Sequence, residues 1–93
     1  MGVIFEWDEG KAKQNVRKHG VSFDEAATVF GDPLSLTIED ALHSDDEQRF
    51  VTIGQSAKGR LVVVVHTDRE DSIRIISWRT ATPRERECYE EGE

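Results

Sequence analysis

The pattern of apolar and polar positions changes from helical spacing to alternation at Pro33. Beyond it, alternating positions predict strands over residues 34–38, 49–54, 61–67 and 72–79. The segment 61–67 is so rich in valine that we expect both of its faces to be covered. Short polar turns separate the later strands, so the second half of the chain is predicted to form a meander.

The chain begins with a short predicted strand followed by a helix. Residues 3–7 alternate weakly and suit an edge strand, and Asp8 follows at a helix N-cap position. A run of good helix formers predicts a helix over residues 9–18, and Gly20 provides a left-handed stop. Ala12 and Val16, four residues apart, give this helix a narrow apolar stripe.

Capping signals mark two further helices. Ser22 and Glu25 have the spacing of a capping box, in which each side chain binds the backbone amide of the other residue. The apolar residues of that helix fall on one face and should be buried: Phe23, Ala26, Ala27 and Phe30. Pro83 in a first turn, capped by Thr82, predicts a closing helix over residues 83–93.

The predicted order is strand, helix, helix, four strands and helix, which defines an α+β fold. With 93 residues and no linker or repeat, we expect one domain over residues 1–93. The single cysteine, Cys88, excludes an internal disulfide and a cysteine-based zinc cage. No apolar run approaches the ~18 residues of a membrane span, and no signal-peptide pattern is present. A cytoplasmic protein without membrane contact is the expectation.

Charge narrows the function classes further. The net charge is −7, which argues against indiscriminate binding to nucleic acid. Residues 11–22 nevertheless contain four cations and no acid, and residues 58–79 contain five cations and three acids. Such segments can form a local anion site, which permits RNA as a substrate without predicting it. The acidic segment 39–47 is interpreted as a solvated loop, and no metal or cofactor motif is present. We therefore predict neither a metal ion nor a cofactor.

The last predicted strand carries two arginines that suit an anion. Strict alternation divides this strand into two faces, with Ile73, Ile75, Ser77 and Arg79 on one and Arg74, Ile76 and Trp78 on the other. Arginine within an apolar strand is costly unless it is paired or meets a ligand. For Arg74 a structural salt bridge and an anion-binding role are therefore equally open, whereas Arg79, at the strand end, is freer to meet a phosphate.

Few residues are candidates for proton transfer, and each has an ordinary structural interpretation. His19 follows a helix and can act as a capping residue, and Lys18 beside it suits a solvated helix terminus. His66 lies on the valine-rich strand, where a core histidine is expected. Tyr89 suits a buried ring with its hydroxyl at the rim. None of these residues alone identifies a function.

Residues 5–36, 47–67 and 73–92 carry four short motifs in a specific order. They are Glu6-Trp7-Asp8, Lys18-His19-Gly20-Val21, Gly59-Arg60, and Arg74-Ile75-Ile76-Ser77 with Arg79. In this combination and spacing the chain resembles the BrnT family of small bacterial toxins, which belong to type II toxin–antitoxin pairs. The resemblance covers nearly the entire chain.

That resemblance implies a RelE-like fold, a bent antiparallel sheet packed by helices. It also implies a ribonuclease that inhibits translation and is neutralised by a cognate ribbon-helix-helix antitoxin, with promoter DNA contacted only through that antitoxin. Carried over by position, the site comprises His19, Arg74, Arg79 and Tyr89 as catalytic residues and Lys18, Arg60 and Ser77 as RNA-binding residues.

The reaction expected of such a site is metal-independent cleavage by the 2′-hydroxyl of the RNA itself. Arg74 and Arg79 would hold the phosphate, His19 would transfer the proton, and Tyr89 is a second candidate for the acid. The alternative is a weak or inactive binding module that acts through its ribbon-helix-helix partner. Direct DNA binding is disfavoured by the net charge of −7.

Overall fold

The computed structural model describes residues 4–40 and 47–92, which form five strands and three α-helices. In chain order these are β1 (Ile4–Glu6), α1 (Glu9–His19), α2 (Phe23–Thr28), β2 (Leu36–Glu39), β3 (Arg49–Gln55), β4 (Leu61–Asp68), β5 (Ser72–Thr80) and α3 (Pro83–Glu91), with a short 3₁₀ helix at Val29–Gly31. The predicted α+β class is confirmed. Most of the predicted acidic loop lies outside the described residues. None of the described helices is long and apolar enough to cross a membrane.

The sheet has the strand order β1-β5-β4-β3-β2. Strands β2 to β5 form an antiparallel meander, whereas β1 runs parallel to β5, with Phe5 beside Ile73. The expectation of a purely antiparallel sheet is therefore wrong, because the sheet is mixed. A parallel neighbour is possible here because α1 and α2 supply the long connection that returns the chain to the meander.

The core lies between α2 and one face of the sheet, called the core face below. Buried residues of β4 and β5 pack there against residues around α2: Val62, Val64, Ile75 and Trp78 with Val21, Ala26 and Val29. The Trp78 indole Nε1 donates to the carbonyl of Val21 at 2.7 Å, so its polar group is satisfied inside the core. The residues predicted for the buried face of the second helix all pack against this cluster.

Gly54 is the point where β3 comes closest to the residues that follow α2. A Cβ at this position would lie 2.8 Å from Cγ1 of Val29 and 3.2 Å from its carbonyl oxygen. The first distance is shorter than real side chains show and the second is tighter than an ordinary contact, so a side chain here would displace Val29. Glycine is therefore required for the 3₁₀ helix to lie directly on the sheet.

A bulge in β5 changes which residues share a face. Val65 pairs with Ser77 while the next residue, His66, pairs with Ile75, so Ile76 has no opposite residue. The predicted strict alternation is therefore wrong. Ile75 and Trp78 both face the core, and the opposite face, called the outer face below, carries Arg74, Ser77 and Arg79. The bulge places on one face three candidate residues that alternation would separate.

The third helix covers one end of the outer face. The first turn of α3 meets β5 where Glu85 binds Arg79, and Gly92 at its end approaches the side chain of Leu36 on β2. With both faces packed, Val63 and Val64 of β4 are almost inaccessible, which confirms the prediction for this strand. At the other end of the outer face, Arg74 lies beside Glu6.

The capping boxes differ from the prediction. Ser22 caps α2 by accepting a hydrogen bond from the Glu25 amide at 3.1 Å, as expected. The Glu25 carboxylate binds Arg60 instead of returning to Ser22, so the predicted box is only half formed. The reciprocal box occurs at α3, between Thr82 and Glu85. The guanidinium of Arg60 therefore outcompetes the local backbone amide for the buried carboxylate of Glu25.

Candidate functional site

A pocket of about 380 Å³, called the edge pocket below, lies between α1 and the bulged part of β5. Its walls are formed by Lys11, Gln14, Asn15, Lys18, His19, Ile76 and Ser77. Three predicted site residues, Lys18, His19 and Ser77, therefore come together although they are distant in sequence. The pocket brings one face of α1, from Lys11 to His19, next to the bulge of β5.

The caps of α1 determine what the helix presents to the edge pocket. Asp8 accepts a hydrogen bond from the Lys11 amide at 3.0 Å, and Gly20 ends the helix with a φ of 68°. Lys18 and His19 consequently occupy the last turn, where the helix dipole favours positive charge. Both side chains are exposed and can meet a ligand.

Asn15 fixes α1 against β5. Its Oδ1 accepts a hydrogen bond from the Trp78 backbone amide at 3.3 Å, and its Nδ2 donates to the Lys11 carbonyl at 2.7 Å. Ser77, next to Trp78, lines the edge pocket and also belongs to the outer face. Ser77 therefore connects the pocket to the face that carries Arg74.

Arg74 forms a loose ion pair on the outer face. Its Nη1 lies 3.7 Å from Oε1 of Glu6, which is too long for a hydrogen bond, and 42% of its side chain is exposed. The pKa of Asp8 is lowered, mainly by the hydrogen bond from the Lys11 amide and in smaller part by the charge of Arg74. Arg74 therefore lies near the start of α1 with an accessible guanidinium.

Arg79 is held by the third helix. Its Nη1 and Nη2 donate to the two carboxylate oxygens of Glu85 at 2.7 and 2.8 Å. This pairing is the main reason why the pKa of Glu85 is lowered from 4.5 to about 2. The arginine predicted to be freest to meet a phosphate is thus bound by an internal carboxylate, and a phosphate must compete with Glu85 for it.

Arg60 connects the turn between β3 and β4 to the start of α2. Its Nε donates to Glu25 at 2.9 Å, and its Nη2 binds the second oxygen of Glu25 and the carbonyl of Gly20. Glu25 is only 4% exposed and also accepts a hydrogen bond from the Ser56 hydroxyl at 2.7 Å. Arg60 lowers the pKa of Glu25 although burial acts to raise it. These contacts are structural, and an RNA contact of Arg60 stays a prediction.

Tyr89 is anchored away from the residues that line the edge pocket. Its hydroxyl donates to Oδ2 of Asp32 at 2.6 Å, and the same oxygen accepts a hydrogen bond from the Gln55 amide at 2.8 Å. The pKa of Asp32 is lowered, first by the Gln55 amide and then by Tyr89. The predicted burial of the ring is confirmed, whereas its role as a catalytic acid stays a prediction.

A chain of hydrogen-bonded side chains crosses the sheet at His66. The imidazole is buried, with Nδ1 at 2.7 Å from Asp68 and Nε2 at 2.7 Å from the Thr52 hydroxyl. Thr52 is in turn 2.8 Å from the Thr37 hydroxyl. Burial lowers the pKa of His66, although Asp68 opposes the effect. The predicted core histidine is confirmed, but its partners depend on strand register, which the sequence does not show.

The edge pocket and the neighbouring outer face combine cations, hydroxyls and an imidazole in an accessible arrangement. Lysine and arginine suit a phosphate, and an imidazole can give or take a proton near neutral pH. Within residues 4–40 and 47–92, no group of three His, Cys, Asp or Glu could hold a metal ion. The described arrangement can therefore bind a polyanion and move a proton beside it.

The fold is shared with a known toxin. The chain is similar to the crystal structure of the Brucella abortus ribonuclease toxin, BrnT, with a TM-score of 0.64 and 20% sequence identity over 87% of this chain and 99% of that one. At this identity the match establishes the fold alone, so the chain has the fold of a small ribonuclease toxin. No curated protein sequence matches the chain.

A family model identifies the group to which the chain belongs. Residues 7–85 match the model described as "Ribonuclease toxin, BrnT, of type II toxin-antitoxin system". The chain is therefore a member of the BrnT family of ribonuclease toxins, as its motifs indicated. Membership of a type II system implies an antitoxin partner.

Proposed function

We propose that this chain is a metal-independent endoribonuclease that binds RNA across the edge pocket and the neighbouring part of the outer face. The observation that carries the proposal is the convergence of Lys18, His19 and Ser77 in one pocket, with Arg74 on the adjoining face. The family's description as a ribonuclease toxin supports the activity.

Each residue has a role in the proposed reaction. His19 takes the proton of the 2′-hydroxyl, whose oxygen attacks the adjacent phosphorus as the bond to the 5′-oxygen breaks. The departing 5′-oxygen takes a proton from water or from Tyr89, and the proton held by His19 restores that donor. The products are a 2′,3′-cyclic phosphate and a 5′-hydroxyl. Lys18 and Arg74 stabilise the charge that develops on the phosphate oxygens, and Ser77 donates a hydrogen bond to them.

Three predicted site residues have internal partners that limit what they can do. Arg79 can contact phosphate only in exchange for Glu85, so we assign it to a flanking phosphate. Tyr89 can act as the acid only if its hydroxyl leaves Asp32. Arg60 can contact RNA with the exposed part of its side chain while it holds Glu25.

The cellular role proposed for the chain follows from its family. RNA cleavage in the cytoplasm would inhibit translation, and a cognate ribbon-helix-helix antitoxin would neutralise the toxin. Promoter DNA would be contacted through that antitoxin, since the net charge of −7 disfavours direct binding by this chain.

Cleavage of a labelled RNA in EDTA tests the proposed chemistry. We expect the parent to release fragments that end in a 2′,3′-cyclic phosphate, and a 2′-O-methyl RNA of the same sequence to remain intact. His19→Ala should lower the rate ~10²–10⁴-fold and Arg74→Gln ~10²–10³-fold, because they remove proton transfer and phosphate stabilisation respectively.

A matched pair of lysines on α1 provides the control. Lys18 lines the edge pocket, whereas Lys13 lies elsewhere on the same helix, beside Val16 and Arg17. Lys18→Ala should slow cleavage and Lys13→Ala should not, although both remove one exposed charge. Equal cleavage by all variants would point to a contaminating nuclease, and cleavage of the 2′-O-methyl RNA would refute the 2′-hydroxyl mechanism.

One observation favours the alternative of a weak nuclease that acts mainly as a binding module. The bidentate contact with Glu85 neutralises Arg79 at the edge of the proposed RNA surface. Such a protein would bind its antitoxin in fixed stoichiometry and would not turn over RNA. The cleavage assay separates the two functions, because only an enzyme cuts more RNA than the amount of protein added.

A further inference from the structure

One row of side chains on the outer face contains two arginines separated by a threonine. The strand register places Arg49 of β3 opposite Thr67 of β4, and Thr67 opposite Arg74 of β5. Directly opposite residues in antiparallel strands have Cβ atoms about 5 Å apart. The hydroxyl of Thr67 therefore lies between two guanidinium-bearing side chains.

The Thr67 hydroxyl is a buried polar group without a satisfied hydrogen bond. The residue is 4% exposed, and its Oγ1 has no hydrogen-bond partner among the residues that the structure describes. Burying a hydroxyl without a partner is destabilising, and native proteins retain few such groups. A valine would fill the same volume in a strand without this cost. The hydroxyl therefore requires an explanation beyond packing.

Exposed ion pairs surround Thr67 and its neighbours. Arg69, just after β4, binds Glu47 at 2.9 and 3.2 Å, and its Nη1 lies 3.5 Å from Glu6. The pKa of Glu47 is lowered, first by the hydrogen bond from Arg69 and in smaller part by the charge of Arg74. Such exposed pairs contribute little to stability, so an incoming anion can rearrange them at low cost.

We propose that Thr67 and Arg49 complete, together with Arg74, a phosphate-binding subsite for RNA on the outer face. A phosphodiester takes the place of Glu6, the loose partner of Arg74, and the two arginines hold its oxygens as the Thr67 hydroxyl donates to one of them. The subsite positions the strand and takes no part in proton transfer. The inference rests on the proposed function, since it names residues that hold the same RNA.

Thr67→Val tests the hydroxyl, because valine keeps the shape and the strand propensity of the residue. We expect the variant to have a higher melting temperature than the parent, since an unpaired buried hydroxyl is removed. Its affinity for a short RNA, measured by fluorescence anisotropy in EDTA, should fall about tenfold or more, because a hydrogen bond to a charged group is lost. Higher stability with weaker binding is not expected of a purely structural threonine.

Thr80→Val is the matched control, because Thr80 is exposed at the far end of β5. This control should leave RNA affinity unchanged. If Thr67→Val binds RNA within about twofold of the parent, the inference is wrong, whatever its effect on stability.

Inorganic phosphate separates the inference from the proposed function. Titration followed by amide NMR should shift the signals of Arg49, Thr67 and Arg74 in the parent, and much less in Thr67→Val. This result would support the subsite even if the protein cleaved no RNA, in which case only the proposed function would fail. Shifts confined to Lys18 and His19, or no shifts at all, would overturn the subsite. The proposed ribonuclease function would still be tested separately, by the cleavage assay.

Discussion

The ion pair between Glu85 and Arg79 leads to a prediction about both stability and RNA binding. Glu85→Gln keeps the length of the side chain and an oxygen that can accept the hydrogen bond from the Thr82 amide, which is now 2.9 Å from the carboxylate. It removes the charge that binds Arg79. The difference between a pKa of 4.5 and one of about 2 means that the fold favours the charged carboxylate over the neutral one by roughly 3 kcal/mol. Solvent screening of these partly exposed side chains reduces the expected loss to about 1–2 kcal/mol.

The pH dependence of the effect has a definite sign. The pKa of Glu85 is lower in the folded state than in the unfolded chain, so the carboxylate stabilises the fold above pH 4.5. This contribution is lost as the pH falls from 4.5 to about 2. Urea unfolding of the parent and of Glu85→Gln should therefore differ at neutral pH and converge at the acidic end of this range. Equal free energies of unfolding at neutral pH would refute the assigned strength of the pair.

The same variant should bind RNA more tightly, because Arg79 no longer has a competing carboxylate. Glu87→Gln is the matched control, since Glu87 is exposed on the same helix and its removal changes the net charge equally. A gain in affinity for Glu85→Gln that exceeds the gain for Glu87→Gln would place Arg79 in the RNA surface. Equal gains would show that net charge alone is responsible and that Arg79 is structural.

Three further predictions concern the parts of the fold that hold the site. Arg60→Ala leaves the buried Glu25 carboxylate without its cation and should lower the free energy of unfolding, measurable as a lower midpoint of unfolding in urea. Gly54→Ala places a Cβ 2.8 Å from Val29 and should cost about 1–3 kcal/mol, visible as a lower melting temperature. His66 has a lowered pKa, so stability should fall as the pH drops below 6.5, and a parent whose unfolding free energy is constant there would contradict the assignment.

The sequence predicts a helix or strand well where neighbouring residues determine it, through their apolar spacing or through a helix cap. The valines of β4 follow from burial on both faces, and the start of α3 at Pro83 follows from the cap at Thr82. The pairing of β1 could not be predicted from the sequence, because three residues at a sheet edge contain no information on direction. The bulge at Ile76 was equally hidden, since no change of composition marks the extra residue.

The candidate site was predictable only as a set of residue types. Lys18 and His19 followed from the end of a helix, but their meeting with Ser77 depends on how α1 lies against β5. The pairing of Arg79 with Glu85 depends on the turn from β5 into α3, whereas the position of Arg79 at the end of a strand predicts a guanidinium that is freer to meet a phosphate. Thr67 had no signal at all, because an unpaired hydroxyl is defined by what surrounds it in three dimensions.

The bulge at Ile76 is a place where β5 can change its length without changing its faces. Ile76 has no partner residue across the strand, so it adds nothing to the pairing of β5 with β4. Deleting it would make Ile75 and Ser77 consecutive, and these two residues already pair with consecutive residues of β4 on opposite faces of the sheet. Simple alternation would then hold, with Arg74 still on the outer face and Trp78 still in the core. Loss of one residue from β5 among relatives should therefore occur at this position.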